Sequence, residues 1–341
     1  QDAGRFAAAW AQYQAQERLS KVAMNAGVKL TFFHGKGGTV SRGGNPEVYK
    51  AIMAQPPNTV NGHFRVTEQG EMVTQNFGHR GIAERTLDIY TAGVLNYTFN
   101  TPSDPQKDWR DAMDKISEAS CDAYREIVRN DPRFVPYFRT ATPEVELGSL
   151  NIGSRPAKRR QTGGVESLRA IPWVFAWTQT RLNLPAWLGV GDGIDSIMAT
   201  SGGGEKLREM YQKWPFFTTN IDLFEMVLAK SDTDIAAHYD TELVEDVEAQ
   251  ELGQELRRRL DSTADSVLSV SGAKELISSN PLLQWQLTLR NPYVDPINIM
   301  QAHILQRLRT GEFSSHQEEQ KLQDALVITM KGIAGGMRNT G

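Results

Sequence analysis

The sequence holds a single cysteine, Cys121, so no internal disulfide can form, and this usage fits a reducing compartment. The thiol has no histidine near it in sequence and reads as inert filler inside a helical stretch. Long apolar runs are also lacking. The longest, IPWVFAWTQTRLNLPAWLGVG from Ile171 to Gly191, is broken by Gln179, Arg181 and Asn183 and fails as a membrane span. Positive charge is not in excess: 37 Lys and Arg stand against 41 Asp and Glu, giving a net charge of -4. Such a balance offers no global attraction to nucleic acid or to an anionic membrane, so any anion site must be local. There is no GxSxG elbow, no HExxH, no CxxC and no dense acidic loop, which removes the common signatures of serine nucleophiles and metal centres. Nothing near the first residue reads as a signal peptide, and a start at Gln1 rather than Met leads to the expectation of a processed chain, a split subunit or a truncated sequence.

What is present is an ordinary globular composition, with 40% hydrophobic and 23% charged residues. Residues 1–25 are rich in helix formers and place Phe6, Trp10 and Tyr13 at i, i+4 and i+7, which predicts an amphipathic helix. After Gly27, VKLTFF reads as a short buried strand ending at His34. The alternation of HFRVTEQGEMVTQNFG around Gly70 predicts a β-hairpin, Leu147 to Ile152 a second strand of the same kind, and Ala170 to Trp177 a third. Helices are expected at about 82–95 and 108–130, and almost exclusively beyond Ser201. There, Phe217, Ile221, Phe224 and Leu228, and later Leu322, Leu326, Met330 and Ile333, form apolar stripes that belong to a core.

The densest chemistry lies in FFHGKGGTVSRGG, where His34 is followed by five glycines, Lys36 and Arg42 within ten residues. The glycine spacing fits neither a P-loop nor a dinucleotide fingerprint. The physics is nevertheless similar, because glycines let backbone N–H groups approach an anion while two cations supply charge. The bland alternative is a surface turn. His34, at the carboxyl end of a strand where α/β folds place their chemistry, is the best candidate for a general base, since imidazole titrates near about pH 6.5. The other histidines, His63, His79, His238, His303 and His316, show no metal-ligand spacing and read as structural. A second cluster, NIGSRPAKRRQTGGVESLR, carries Arg155, Lys158, Arg159, Arg160 and Arg169. A basic run of this kind serves as a solvated face or a nucleic-acid patch. The acidic overall balance and the missing aromatics favour a small anionic substrate held by guanidinium forks.

FFHGKGGTVSRGGNP, LNIGSRPAKRRQTGGVESLRAIPWVFAWTQTRLNLPAWLG and the terminal GIAGGMRNTG resemble phosphoenolpyruvate carboxylase, in its bacterial branch, and the likeness runs in register from first residue to last. The resemblance implies a mostly α-helical protein with α/β barrel elements: the later part of a TIM-type (β/α)8 barrel over residues 1–200, with the glycine loop and the arginine cluster, and a C-terminal helical bundle over 201–341. It implies the joining of phosphoenolpyruvate and bicarbonate to give oxaloacetate and phosphate through carboxyphosphate and an enolate, an anaplerotic feed to the tricarboxylic acid cycle. His34 would then take the proton from carboxyphosphate, Arg42 would close over the reacting carboxylate, and Lys36, Arg155 and Arg169 would hold the substrate. Lys230, Arg290, Asn339 and, shared with the active site, Arg42 would grip aspartate or malate as an allosteric inhibitor. Without the resemblance, Lys230 reads as a helix-end cation and Asn339 as a C-cap residue.

Mg2+ or Mn2+ would be the cofactor, its ligands expected upstream of residue 1, so this chain would be a C-terminal portion that works with the missing N-terminal half. The assembly would be a cytoplasmic dimer of dimers, with no nucleic-acid or membrane partner. Lys36 stands where the family usually has arginine, and Ser41 and Asn45 replace small residues of the loop. The alternative is a non-catalytic, dicarboxylate-binding regulatory or interaction subunit.

Overall fold

The computed structural model describes residues 2–34, 48–66, 70–149, 165 and 168–337. The described chain is mostly helical. In order it forms α1 (Arg5–Asn25), β1 (Phe33–His34), α2 (Val48–Met53), β2 (Arg65–Val66), α3 (Gly70–Phe77), α4 (Arg80–Phe99), α5 (Lys107–Arg125), α6 (Phe134–Ala141), α7 (Ala170–Gln179), α8 (Leu184–Trp187), α9 (Val190–Met198), α10 (Gly203–Lys213), α11 (Pro215–Leu228), α12 (Thr233–Leu243), α13 (Val247–Ser271), α14 (Pro281–Thr310) and α15 (His316–Met337). A π-helical turn, Glu126–Asn130, follows α5, and a 3-10 turn spans Glu146–Ser149. Two compact units emerge: one of Phe6–Ser117 and Ser196–Leu223, the other of Gln1–Arg5, Glu118–Asp195 and Phe224–Gly341.

In the unit that contains Phe6–Ser117, α1 presents Phe6, Trp10 and Tyr13 inward, as its spacing predicts. Trp10 stacks on Tyr13 with ring centroids 5.4 Å apart and meets Trp214 edge-on at 5.7 Å, and its indole N–H donates to Asp114 Oδ1 at 2.6 Å. A second apolar cluster joins Val48, Ile52, Val60 and Tyr97, with Phe64 and Val94 against it. β1 pairs with β2 in parallel, Phe33 opposite Arg65 and His34 opposite Val66.

That pairing corrects two expectations. The strand ending at His34 is confined to Phe33–His34, and Phe33 is exposed rather than buried. Burial on both faces needs neighbours on both sides of a parallel sheet, and among the described residues β1 has only β2. The hairpin about Gly70 does not form either. Arg65–Val66 pairs with β1, and the chain from Gly70 becomes α3, closed by the Gly78 N–H donating to Thr74 O at 2.9 Å.

In the other unit, α14 packs on α15 and on α12, α13 on α12 and α6, and α7 on α15. Ala170–Trp177, expected as a strand, is helical: α7 is buried nearly all round, with Pro172 in its first turn, where no intrahelical N–H is lost. Trp173 and Trp177, one turn apart, lie against Phe134 and Phe138 at 5.1 to 6.1 Å, an arrangement that an alternating strand could not supply. The strand expected from Leu147 is likewise replaced at 147–149 by the 3-10 turn, which the Leu147 N–H ties to Pro143 O at 3.0 Å with the leucine buried; residues 150–152 lie outside the described residues. The run from Ile171 to Gly191 is divided among α7, α8 and the start of α9, and no described helix is long and apolar enough to cross a membrane. Beyond Ser201 the expectation of helices holds, with Phe217, Ile221, Phe224, Leu228, Leu326, Met330 and Ile333 all buried, whereas Leu322 of the second stripe is only half-buried.

Candidate functional site

Of the residues singled out in the sequence, His34, Arg169, Lys230 and Arg290 are described, whereas Lys36, Arg42, Arg155 and Asn339 lie outside the described residues. His34 is the last residue of β1 and half-buried, its ring stacked on Phe64 at 4.8 Å with 28° between planes. Arg65 of β2 lies over the Phe33 ring at 4.9 Å, so a guanidinium flanks the same strand pair. The parallel register thus fixes the imidazole at the carboxyl end of a strand, with the glycine loop following in sequence.

Arg169 precedes α7 with an extended backbone, φ -83 and ψ 159, and its carbonyl accepts the Trp173 N–H at 3.1 Å. The turn to extended geometry places Arg169 at the mouth of the helix rather than along it. The helix N-terminus behind it carries the positive end of the dipole, which favours anions.

Lys230 sits between α11 and α12, 8% exposed, its N–H donating to Val227 O at 3.1 Å. An ammonium so little exposed belongs with an anion or with buried acceptors, because an isolated charge in such a place is costly. Arg290 lies on α14 and is half-buried. Lys230 and α14 are joined through Arg181, whose Nε donates to Lys230 O at 3.0 Å and whose Nη1 donates to Asp295 Oδ1 of α14 at 2.6 Å.

Arg181 was visible in the sequence only as an interruption of an apolar run, together with Gln179 and Asn183. In the structure all three are buried, Arg181 to 1% exposure. Their significance as a set needed the tertiary contacts. The one signal available was the cost of burying such groups unless they are bonded.

Among the described residues no group of three His, Cys, Asp or Glu side chains could hold a metal ion.

The family model described as phosphoenolpyruvate carboxylase matches residues 1–341. The chain belongs to the phosphoenolpyruvate carboxylase family. Its similarity to the phosphoenolpyruvate carboxylase of Chromohalobacter salexigens is 52% identity over 340 residues, covering 100% of this chain and 38% of that protein. For the enzyme of Stutzerimonas stutzeri the figures are 52% over 340 residues, again 38% of the relative. Phosphoenolpyruvate carboxylase 2 of Chlamydomonas reinhardtii is 51% identical over 342 residues, 27% of its length. The chain thus spans less than two fifths of the curated relatives it matches.

Proposed function

We propose that this chain supplies the C-terminal part of the active site of a phosphoenolpyruvate carboxylase, converting phosphoenolpyruvate and bicarbonate to oxaloacetate and phosphate and so feeding the tricarboxylic acid cycle. The observation that carries the reading is the family match over all 341 residues, which includes a strand-end His34 and the cationic loop after it. On this reading residues 1–200 form the later part of an eight-stranded α/β barrel and 201–341 a C-terminal helical region. The parallel β1–β2 pair, with the helices around it in sequence, supports that placement.

Bicarbonate oxygen attacks phosphorus, the bond from phosphorus to the enol oxygen breaks, and carboxyphosphate and the pyruvate enolate result. His34 takes the proton of carboxyphosphate, whose carbon-oxygen bond to phosphate then cleaves to give CO2 and phosphate. The enolate carbon attacks CO2, closing the balance at oxaloacetate. A neutral imidazole suits this step because its ordinary pKa, near about 6.5, lies close to the working pH. Arg155 and Arg169 hold phosphate oxygens as guanidinium donors, Lys36 adds a point charge where a fork is usual, and Arg42 on the glycine loop covers the reacting carboxylate. Closing such a loop keeps the enolate and CO2 from water.

The divalent cation, whose chemistry is Lewis-acid support of the enolate, has its ligands outside this chain on this reading. The working assembly is a cytoplasmic dimer of dimers that includes the remaining length of the relatives. On the same reading Lys230, Arg290, Asn339 and Arg42 bind aspartate or malate as inhibitor. A ligand that engages Arg42 there withdraws it from the reacting carboxylate, so inhibition is a population shift.

The test is His34→Asn in the complete assembly. Loss of the proton acceptor should lower kcat for oxaloacetate by about 10²- to 10⁴-fold with little change in the KM for phosphoenolpyruvate. An unchanged kcat removes His34 from the chemistry.

A further inference from the structure

The five residues 179–183, which run from the last residue of α7 to the start of α8, tie together the three elements on which the proposed dicarboxylate pocket depends. Toward Lys230, Arg181 Nε donates to the Lys230 carbonyl at 3.0 Å, the Asp232 N–H donates back to the Arg181 carbonyl at 3.0 Å, and Asn183 Nδ2 donates to Ser231 Oγ at 3.1 Å. Toward α14, which carries Arg290, Arg181 Nη1 donates to Asp295 Oδ1 at 2.6 Å, Asn298 Nδ2 to the Gln179 carbonyl at 2.6 Å, and Gln301 Nε2 to Gln179 Oε1 at 2.9 Å. Toward α15, after which Asn339 follows in sequence, Gln179 Nε2 donates to the Met330 carbonyl at 3.3 Å.

The turn is over-determined. Arg181 and Asn183 both adopt left-handed backbone, φ 61 and 49, uncommon for residues other than glycine. The conformation is held by the Asn183 N–H on Trp177 O at 3.1 Å and the Trp187 indole N–H on Leu182 O at 2.6 Å. Strained backbone of this kind persists where its surroundings fix it, and it clusters at ligand clamps. A fully buried guanidinium is an expensive way to join two helices if joining were its only role, since apolar packing of similar volume does as well. What a fork can do and a hydrocarbon cannot is grip a specific carbonyl and a specific carboxylate at a fixed spacing.

We infer that Arg181 is a positioning residue for the dicarboxylate pocket: without touching the ligand, it holds the Lys230 backbone at a set distance from α14 and hence from Arg290. The inference rests on the reading of Lys230 and Arg290 as inhibitor-binding residues. It adds that their spacing, and so their affinity for a four-carbon dicarboxylate over a shorter or longer one, is written in the 179–183 turn.

The experiment is calorimetric titration of L-aspartate into the complete assembly carrying this chain unsubstituted or as Arg181→Lys, Asp295→Asn, Lys230→Met or the Arg181→Lys/Lys230→Met pair, with circular dichroism confirming the fold of each. Lysine keeps the charge but lacks the fork whose separate nitrogens reach the Lys230 carbonyl and Asp295. Arg181→Lys and Asp295→Asn should each weaken aspartate about tenfold, the loss expected when one charge-assisted hydrogen bond to a ligand is misplaced. The pair should bind no more weakly than Lys230→Met alone, because Arg181 acts through Lys230.

A purely structural role lowers melting temperature without this coupling. Unchanged affinity in folded Arg181→Lys, or independent losses in the pair, overturns the inference alone, and Asp295→Asn decides the matter if Arg181→Lys does not fold. Absence of heat with the folded, unsubstituted assembly overturns the inhibitor-site reading and this inference together.

Discussion

Glu318 accepts hydrogen bonds from the Ser314 hydroxyl at 2.5 Å, the Ser314 N–H at 2.8 Å and Arg307 at 2.7 Å, while the Glu318 N–H donates to Ser315 Oγ at 3.2 Å at the start of α15. These bonds, the Ser314 hydroxyl first, hold its carboxyl down from 4.5 to about 2. A carboxyl depressed in the folded state favours folding above its unfolded pKa and loses that contribution as protons bind, so the window runs from about pH 4.5 down to about pH 2. The melting temperature should therefore exceed that of Glu318→Gln near neutrality, with the gap narrowing across that window. A gap independent of pH would show that the carboxylate charge is not what α15 uses. Gly189 is held in a conformation that only glycine adopts easily. Its φ of 83 lies in the left-handed region, and an added Cβ would strike the Ser120 carbonyl oxygen. Gly189→Ala should cost about 2 kcal/mol or more in urea unfolding, from backbone strain and overpacking together. A smaller change would mean that the backbone there can shift.

Elements were legible in proportion to how local their causes are. α1 could be read because Phe6, Trp10 and Tyr13 recur at helical spacing, and all three are buried. Trp10 should be the element's largest single anchor. Trp10→Ala is expected to destabilise by about 3–5 kcal/mol, seen as a lowered urea midpoint, since it removes a buried indole and leaves Asp114 without that donor. α7 was not legible as a helix. A run apolar on every side has no period to read, and the placement of Trp173 and Trp177 against Phe134 and Phe138 depends on partners about 40 residues away. β2 shows the same limit in another form, because Arg65–Val66 pairs with Phe33–His34 rather than with its sequence neighbours, and alternation alone cannot name a partner strand. Of the candidate site, His34 and the cations were legible as residue types beside glycines. The 179–183 turn was not, since Gln179 and Arg181 acquire their meaning only through Asp295, Asn298, Gln301 and Met330.

At the scale of the molecule, the chain spans 38% of the length of relatives such as the Chromohalobacter salexigens enzyme. On the proposed reading it contributes a base, phosphate-holding cations and dicarboxylate-binding residues to a larger site. Leu19, Val22 and Met24 of α1 and Phe33 of β1 are exposed apolar side chains. The most direct test is oxaloacetate formation from phosphoenolpyruvate and bicarbonate with Mg2+, followed through malate dehydrogenase, for this chain alone and after mixing with the remaining portion of a relative. Turnover is expected in the mixture and from neither part alone. Turnover by this chain alone, or silence of a folded mixture, would contradict the proposed function.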